Sequence, residues 1–222
     1  MTEQKPTIAV IGGTGALGSG LALRWARAGY GIIIGSRSAE NAAAKAADLA
    51  GAVPNASVGG LENGAAAAAA DIVVLTVPFA NHQPMLEAVR DGAQGKILVD
   101  ATVPLMPPKV ARVQLPEGGS AAKRAQDFLG EDVQVVSAFQ NVAADLLQDE
   151  KSRIDCDVLV CGNKRAARQT VVDMAEAAGL TAWHAGPIEN SAAAEALTSV
   201  LIFINRGDID HAGIRITGEP KA

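Results

Sequence analysis

The chain has 222 residues, of which 49% are hydrophobic, 3% are aromatic and 19% are charged, and its formal net charge is −5. This length allows one large domain or a domain of ordinary size with a small second one, built around a core of Ala, Val, Ile and Leu. The acidic balance and the lack of a basic run argue against nucleic acid as a partner. The apolar stretches are only as long as strands, so we predict neither a signal peptide nor a membrane span.

A nucleotide-binding unit is predicted over Ile8–Arg37. Its first apolar run, residues 8–11, is typical of a buried parallel strand. Apolar residues at helical spacing follow until Gly29, the expected C-cap, and a second apolar run occupies residues 32–34. Strand, turn, helix and strand within about thirty residues is the arrangement in which a glycine-rich turn binds a dinucleotide.

The turn itself contains Gly13, Gly15 and Gly18 at the spacing G-x-G-x-x-G. We expect Gly13 to permit the tight turn, Gly15 to let the backbone approach a pyrophosphate, and Gly18 to let the helix pack closely on the strand. The phosphates are then expected on the unpaired N–H groups at the start of the helix. The alternative is a glycine turn with a purely structural role, which the flanking strands and helix make the weaker interpretation.

The residues after the second strand indicate which dinucleotide is bound. An NAD-binding unit usually has an acid there for the ribose 2′-OH, whereas an NADP-binding unit supplies Arg. This chain has Ser36, Arg37 and Ser38, with no acid before Glu40. The Arg37 guanidinium can pair with a 2′-phosphate, and both serines can donate to its oxygens. NADP is therefore favoured over NAD, while a solvated Arg37 in a loop remains the alternative.

The rest of the chain alternates helices and strands, which predicts a Rossmann-like, doubly wound α/β sheet with a small C-terminal α/β extension. We divide it into an NADP-binding domain, 1–140, and a small substrate-binding or dimerisation domain, 141–222. The predicted helices are 39–50, 62–70, 81–91, 120–129, one between 141 and 156, 164–178 and 190–205; the predicted strands are 56–58, 71–77, 96–100, 134–139, 157–161 and 181–185. The proline-rich segment 101–119 is interpreted as a functional or partly mobile loop.

Ligands in such sheets lie beyond the carboxyl ends of the strands. Thr76, Val77, Pro78 and Phe79 are therefore expected to line the nicotinamide half of the site, although Phe79 could equally cap the core. His82, beside this loop, is interpreted as an exposed histidine at a helix start. Hydride transfer between flat rings needs mainly positioning, so we assign no catalytic acid, base or metal.

Two cysteines and one apolar helix bear on location and assembly. Cys156 and Cys161 flank one predicted strand, which is typical of reduced core thiols in a cytoplasmic protein and is not a zinc spacing. The apolar helix at 190–205 is expected to pack against another domain or subunit, and a homodimer is predicted from it.

The motifs identify a resemblance to the coenzyme F420-dependent NADP reductase family over nearly the whole length. It rests on the glycine-rich unit with its Ser-Arg pair, on LTVPF, VSAF and DVLVCG, and on AGPIENS at 185–191 with the apolar helix after it. The resemblance implies hydride transfer between NADP(H) and the deazaflavin. It places Thr14, Gly15, Ala16 and Leu17 at the pyrophosphate, and Ser36 and Arg37 at the 2′-phosphate. Where the family often adds Arg and Lys, this chain has Ser38 and Asn41.

The deazaflavin side departs from the family pattern. Family members carry a histidine where this chain has Gln140, and a neutral amide cannot take a proton as imidazole can. The expected contacts of the second ring are Phe139, Gln140, Val142, Pro187 and Ser191. A pterin or flavin therefore stays open as the hydride partner. A non-catalytic NADP sensor and a reductase of small imines or keto acids are further alternatives, although the latter usually needs a proton donor that the sequence does not offer.

Overall fold

The computed structural model describes residues 5–149, 153–207 and 209–219. The strands in this part of the chain are β1 Thr7–Ile11, β2 Gly31–Ser36, β3 Val58–Glu62, β4 Ile72–Leu75, β5 Ile97–Asp100, β6 Gln134–Ser137, β7 Asp157–Gly162 and β8 Thr181–Gly186. The helices are α1 Ala16–Arg27, α2 Ala39–Ala52, α3 Asn63–Ala69, α4 His82–Val89, α5 Ala121–Leu129, α6 Arg165–Ala177 and α7 Ser191–Ile204, with 3₁₀ turns at Phe79–Asn81 and Ile188–Asn190.

The strands form one sheet in the order β3-β2-β1-β4-β5-β6-β7-β8. The first six strands pair in parallel, β7 runs antiparallel to β6, and β8 is parallel to β7. The chain moves from β1 outward to β3 and then returns to the other side of β1 with β4. This reversal of strand order is the place where doubly wound sheets bind their ligands. The predicted fold class is confirmed.

Helices cover both faces of the sheet. Since successive side chains of a strand point to opposite faces, each strand contributes to both core layers. Ile8 and Val10 of β1 belong to the core layer that contains Trp25 of α1. Ala9 and Ile11 belong to the opposite layer, which is packed with small side chains from α3. The few aromatic residues leave cores built from Ala, Val, Ile and Leu, as the composition predicts.

The predicted division at residues 140 and 141 falls between β6 and β7, where the strand direction reverses. β7 and β8 nevertheless continue the same sheet. The division into two domains therefore stays a prediction. No helix in the described part of the chain combines the length and apolar character needed to cross a membrane.

Two predicted elements differ in the structure. The third strand covers Val58–Glu62 rather than 56–58, because it pairs along its whole length with β2 despite its two glycines. One of them, Gly60, lies so close to α2 that a Cβ there would be 2.3 Å from the carbonyl oxygen of Ala42. A glycine-rich strand has weak strand propensity, and its packing requirement is invisible in the sequence.

The predicted helix between 141 and 156 is absent from the described residues of that segment, which form turns. Its carbonyl groups are used by Arg24 of α1 instead. The guanidinium donates to the carbonyl oxygens of Leu146, Leu147 and Asp149 at 2.9, 2.9 and 3.1 Å. Burial is the main reason that the pKa of Arg24 lies below its ordinary value. A guanidinium with five donors thus holds this segment against α1 in place of helical hydrogen bonds.

Candidate active site

The glycine-rich turn joins β1 to α1 in the way the motif predicts, with one change of role. The positive φ of the turn, 80°, belongs to Gly12 and not to Gly13. Gly13 is needed for a close approach instead, since a Cβ there would lie 2.8 Å from the carbonyl oxygen of Val10. At Gly18 a Cβ would lie 2.5 Å from Oγ1 of Thr76. Gly18 therefore lets α1 pack against the chain that leaves β4.

The start of α1 is open to solvent and carries unpaired donors. Its N-cap, Gly15, supplies no side-chain cap. The first N–H that closes a helical turn is that of Ser19, which donates to the carbonyl of Gly15 at 2.9 Å. Thr14, Gly15 and Ala16 are exposed. The first turn of this twelve-residue helix is thus free to bind an anion with its N–H groups and its positive dipole end.

The chain that leaves β2 places a cation beside this helix start. Arg37 is exposed, and no ion pair or hydrogen bond to its guanidinium is found among the residues that the structure describes. Ser38 caps α2, since its Oγ accepts from the N–H of Asn41 at 3.3 Å, and its own N–H donates to Oγ of Ser36 at 3.4 Å. Both hydroxyl protons remain available to an anion. The geometry is what a 2′-phosphate would require.

A cleft of about 770 Å³ lies between the start of α1 and the segment that contains Arg37, at the carboxyl ends of β1, β2 and β4. It is lined by Gly12, Thr14, Gly15, Ser36, Arg37, Ser38, Asn41, Asn63, Thr76, Val77, Pro78, Asn81, Pro84 and Met85. Eight of the twelve expected cofactor residues are in that set. The other four lie beside the cleft and not on its wall: Gly13, Ala16, Leu17 and Phe79. Leu17 packs against the core.

Asn63 is a cleft residue that sequence reasoning missed. It is the first residue of α3, directly after β3, and is 6% exposed. Its amide nitrogen lies 3.2 Å from Sδ of Met85, and its Oδ1 is buried without a hydrogen-bond partner. The signal was available, because the residue after β3 must lie beside the end of β2 at the same sheet edge. Because the third strand was predicted at 56–58, Asn63 was not recognised as the residue that follows it.

On the other side of β4, the prediction for His82 is wrong. The residue is 2% exposed, and its Nε2 donates to Oδ2 of Asp100 at 2.7 Å. Its ring also stacks on Phe79, with the centroids 6.1 Å apart. The helix start folds inward because Asp100, the last residue of β5, is fully buried and needs a partner. Phe79 in turn lies under the guanidinium of Arg124, 5.7 Å from the ring centroid.

Four of the five residues expected to contact the second ring point into the protein. Phe139 has a positive φ of 74°, is 0% exposed and packs edge-on against Trp25 at 5.8 Å, which corrects the expectation that its ring faces a ligand. Nε2 of Gln140 donates to the carbonyl of Asp100 at 2.8 Å and to Oγ of Ser137 at 2.9 Å. The side chains at 139 and 140 therefore support the site from beneath.

The remaining three residues of that set differ in exposure. Val142 is 8% exposed and belongs to the core. Ser191 is 0% exposed, and its hydroxyl lies 2.6 Å from Oγ of Ser120 and donates to the carbonyl of Ile188 at 2.6 Å. Ser191 is buried because α7 packs against α5 and β7, whereas Val142 is buried in the core layer that contains Trp25. Pro187, just before that turn, is exposed.

The packing of α7 depends on a buried carboxyl group, that of Glu195. Its two oxygens accept from the N–H groups of Ala121 and Ala122 at 2.7 and 3.0 Å, at the start of α5. The pKa of Glu195 is raised to about 8, mainly by burial and also by the nearby Asp100 carboxylate, while the two N–H donors oppose the shift. Glu195 thus joins α7 to α5 across the carboxyl edge of the sheet.

Comparison with known proteins matches this site to a family. Residues 7–104 match the family described as NADP oxidoreductase, coenzyme F420-dependent. An F420-dependent NADP reductase of Methanothermobacter thermautotrophicus is 44% identical over 224 residues, covering 96% of each chain. The chain belongs to the F420-dependent NADP reductase family. A second F420-dependent NADP reductase, from Methanocaldococcus jannaschii, is 42% identical over 219 residues and covers 95% of this chain and 97% of its own.

Solved structures agree with the assignment to the F420-dependent NADP reductase family. A crystal structure from Arthrobacter sp. FB24, described as a candidate F420-dependent NADP reductase, superposes with a TM-score of 0.75 at 28% identity, covering 90% of this chain and 94% of that one. An imine reductase from Myxococcus stipitatus in complex with NAD+ superposes with a TM-score of 0.62 at 22% identity, covering 91% of this chain and 62% of that one. The second likeness concerns the fold alone.

Proposed function

We propose that this protein transfers a hydride between NADP(H) and the deazaflavin coenzyme F420. One observation carries the proposal: in a chain of this family, the open start of α1 and the exposed Arg37 border one cleft at the point where the strand order reverses. The diphosphate of a dinucleotide needs the N–H groups of a helix start, and a 2′-phosphate needs a cation such as Arg37. One cavity connects these two positions.

The residues of the cleft fit NADP, and we assign them as follows. The diphosphate lies against Thr14–Leu17 and is held by N–H groups of the first turn of α1, since the N–H of Gly15 already donates to the carbonyl of Gly12 at 2.9 Å. The 2′-phosphate is held by Arg37 with the hydroxyls of Ser36 and Ser38. Thr76–Phe79 border the pyridine ring. When bound, NADPH supplies the hydride from that ring. The protein's own part is to bind and orient the two rings, and none of these residues is assigned as an acid or base.

The cofactor assignment is tested by titrating NADPH and NADH against wild type, Arg37→Ala and a matched control, Arg165→Ala. Arg165 is exposed at the start of α6, away from the cleft. Loss of a charge-assisted hydrogen bond predicts about 10- to 100-fold weaker NADPH binding for Arg37→Ala, with NADH affinity unchanged. Equal NADPH affinity in both variants would remove Arg37 from the 2′-phosphate.

For the hydride partner we propose F420, placed over the start of α7 near Pro187. The buried side chains of Phe139, Gln140, Val142 and Ser191 are proposed to support this surface rather than to touch the ring. The test is an anaerobic stopped-flow comparison of NADPH oxidation with deazaflavin, flavin and pterin acceptors. Oxidation with F420 alone supports the proposal; oxidation with a flavin or pterin alone replaces F420, and NADPH binding without oxidation by any acceptor favours a redox sensor.

A homodimer formed through α7 is a further part of the proposal. The last turns of this helix expose an apolar surface, with Val200 45%, Phe203 68% and Ile204 38% exposed. Apolar helix faces of this kind are commonly covered by a second copy of the same chain. Sedimentation velocity on wild type and Phe203→Glu tests it: we expect a dimer that the substitution dissociates, and a monomeric wild type would contradict it.

We also propose a cytoplasmic location. Cys156 and Cys161 are free and buried, which fits a compartment that keeps thiols reduced. Fractionation of cells that express the tagged protein tests this, and recovery outside the cytoplasmic fraction would contradict it.

A further inference from the structure

A buried polar cluster at the carboxyl ends of β5 and β6 has no part in the contacts assigned to NADP. Its centre is Asp100, whose side chain is 0% exposed. Oδ2 accepts from Nε2 of His82 at 2.7 Å, and Oδ1 accepts from the N–H of Thr102 at 2.9 Å. The backbone carbonyl of Asp100 accepts from Nε2 of Gln140 at 2.8 Å. Asp100 thus ties together the three segments that leave β4, β5 and β6.

The position of the cluster relates it to the reacting end of the cleft. Arg37 follows β2, on one side of β1, whereas β4, β5 and β6 lie on the other side in that order. A dinucleotide crosses such a sheet at the reversal of strand order, with one nucleotide on each side. Since Arg37 marks the adenosine side, the pyridine ring belongs over the segments that Asp100 joins.

The Phe79 and Thr102 segments are otherwise held by backbone bonds: the N–H of Asn81 donates to the carbonyl of Pro78 at 2.8 Å, and that of Ala101 to the carbonyl of Leu75 at 3.0 Å. Phe79 carries no polar side-chain atom, and its ring rests on His82 and under Arg124. Thr102 is 1% exposed, and its hydroxyl has no hydrogen-bond partner among the described residues. The bond from the N–H of Thr102 to Asp100 is therefore the side-chain contact that holds the start of the loop after β5. An unpaired Asp100 carboxylate would be costly to bury, so its contact with His82 holds the helix start inward.

We propose that His82 and Asp100 are positioning residues for hydride transfer, which hold the Phe79 and Thr102 segments as a fixed floor for the pyridine ring. The inference rests on the proposed function. Neither side chain touches the cofactor; each acts through the segment that it fixes. Small displacements of a reacting ring are expensive, since a shift of about 1 Å can lower a rate about 100-fold.

Two substitutions separate the hydrogen bond from the ring contact. His82→Gln can place an amide N–H near the position of Nε2 and retain the bond to Asp100, whereas His82→Phe keeps a ring beside Phe79 and leaves Oδ2 unpaired. His184→Gln and His184→Phe are the matched controls, because His184 is exposed on β8. If His82→Phe does not fold, as judged by circular dichroism, Asp100→Asn takes its place in every measurement.

Three measurements are made on each folded variant: NADPH affinity, the fluorescence lifetime of bound NADPH, which shortens when the pyridine ring is mobile, and the single-turnover rate with F420. For His82→Phe we expect NADPH affinity within about twofold of wild type, because the phosphate contacts lie elsewhere. We expect a shorter lifetime and a rate lower by about 10- to 100-fold. His82→Gln and both controls should resemble wild type.

An unchanged lifetime and rate in folded His82→Phe would overturn the proposal, and so would equal damage by His82→Gln, since the ring alone would then matter. If wild type binds NADPH but does not reduce F420, the proposed function fails while the lifetime comparison still tests the positioning role. A normal wild-type rate with an unaffected His82→Phe would instead refute the positioning role and leave the proposed function intact.

Discussion

The buried carboxyl of Glu195 makes the stability of the protein depend on pH, and the direction is opposite to that of most acidic residues. Its pKa is about 8 in the folded protein, against 4.5 for an ordinary glutamate. Between these values the folded state binds more protons than the unfolded state. The stabilising contribution is therefore complete below about pH 4.5 and is lost as the pH rises through about 8.

The size of the effect follows from the shift. At about 1.4 kcal/mol per pKa unit, the full contribution is about 5 kcal/mol, and about 3 kcal/mol of it is lost between pH 6 and pH 9. Glu195→Gln removes the titration. Relative to wild type, its free energy of unfolding should therefore rise by about 3 kcal/mol over that interval, measured by urea denaturation at each pH.

Glu189→Gln is the control, since Glu189 is exposed and lies close by in the chain. Its difference from wild type should change by less than about 0.5 kcal/mol over the same interval. A difference between Glu195→Gln and wild type that stays constant with pH would refute the reasoning. A difference that falls as pH rises would mean that the two N–H donors outweigh burial.

Three further predictions concern the packing and the cleft. Gly18→Ala should lower the free energy of unfolding by about 1–3 kcal/mol because the added Cβ would collide with Thr76. Gly51→Ala, at a helical position with open space around it, is the control and should raise the free energy of unfolding by about 0.5–1 kcal/mol. Equal effects of the two substitutions in urea denaturation would contradict the close approach at Gly18. Asn41→Lys adds a cation to the wall of the cleft and should strengthen NADPH binding about 2- to 5-fold in calorimetry, while unchanged affinity would place Asn41 away from the phosphate. Trp25→Phe removes a 2.8 Å hydrogen bond to the carbonyl of Met174 and part of the core, so it should cost about 1–3 kcal/mol in the same denaturation assay, and a loss below about 0.5 kcal/mol would contradict its role.

Local patterns predicted most of the fold. Apolar runs, glycine stops and helical spacing are properties of short segments. They located seven of the eight strands in residues 5–149, 153–207 and 209–219 near their observed bounds. The exceptions depend on distant partners. Gly60 lies in a strand because α2 packs closely over it, and Leu146 lies in a turn because Arg24, more than a hundred positions earlier, binds its carbonyl. Neither contact can be predicted from the sequence of the segment in which it lies.

The residues of the candidate site also differ in whether a local motif or a distant contact determines their position. Arg37 and the glycines were predictable because their motif contains strand, turn and helix within one short stretch. His82 and Asp100 lie 18 positions apart, and their neighbouring strands place them at the same sheet edge without specifying a contact. An isolated histidine near a helix start is usually exposed, so the local pattern favours the wrong interpretation. Gln140 was identified as an unusual residue, but only the fold reveals that its amide faces Asp100 and not a ligand.

The most direct test of the account is a single-turnover experiment with stereospecifically deuterated NADPH and F420 under anaerobic conditions. If both rings bind in the cleft beside Thr76–Phe79, deuterium is transferred directly to the deazaflavin at a rate that shows a primary isotope effect, and Arg37→Ala requires a higher NADPH concentration to reach the same rate. If wild type binds NADPH at this cleft but no deuterium reaches F420 at any concentration, the assignment of the cleft to hydride transfer between these two coenzymes is contradicted.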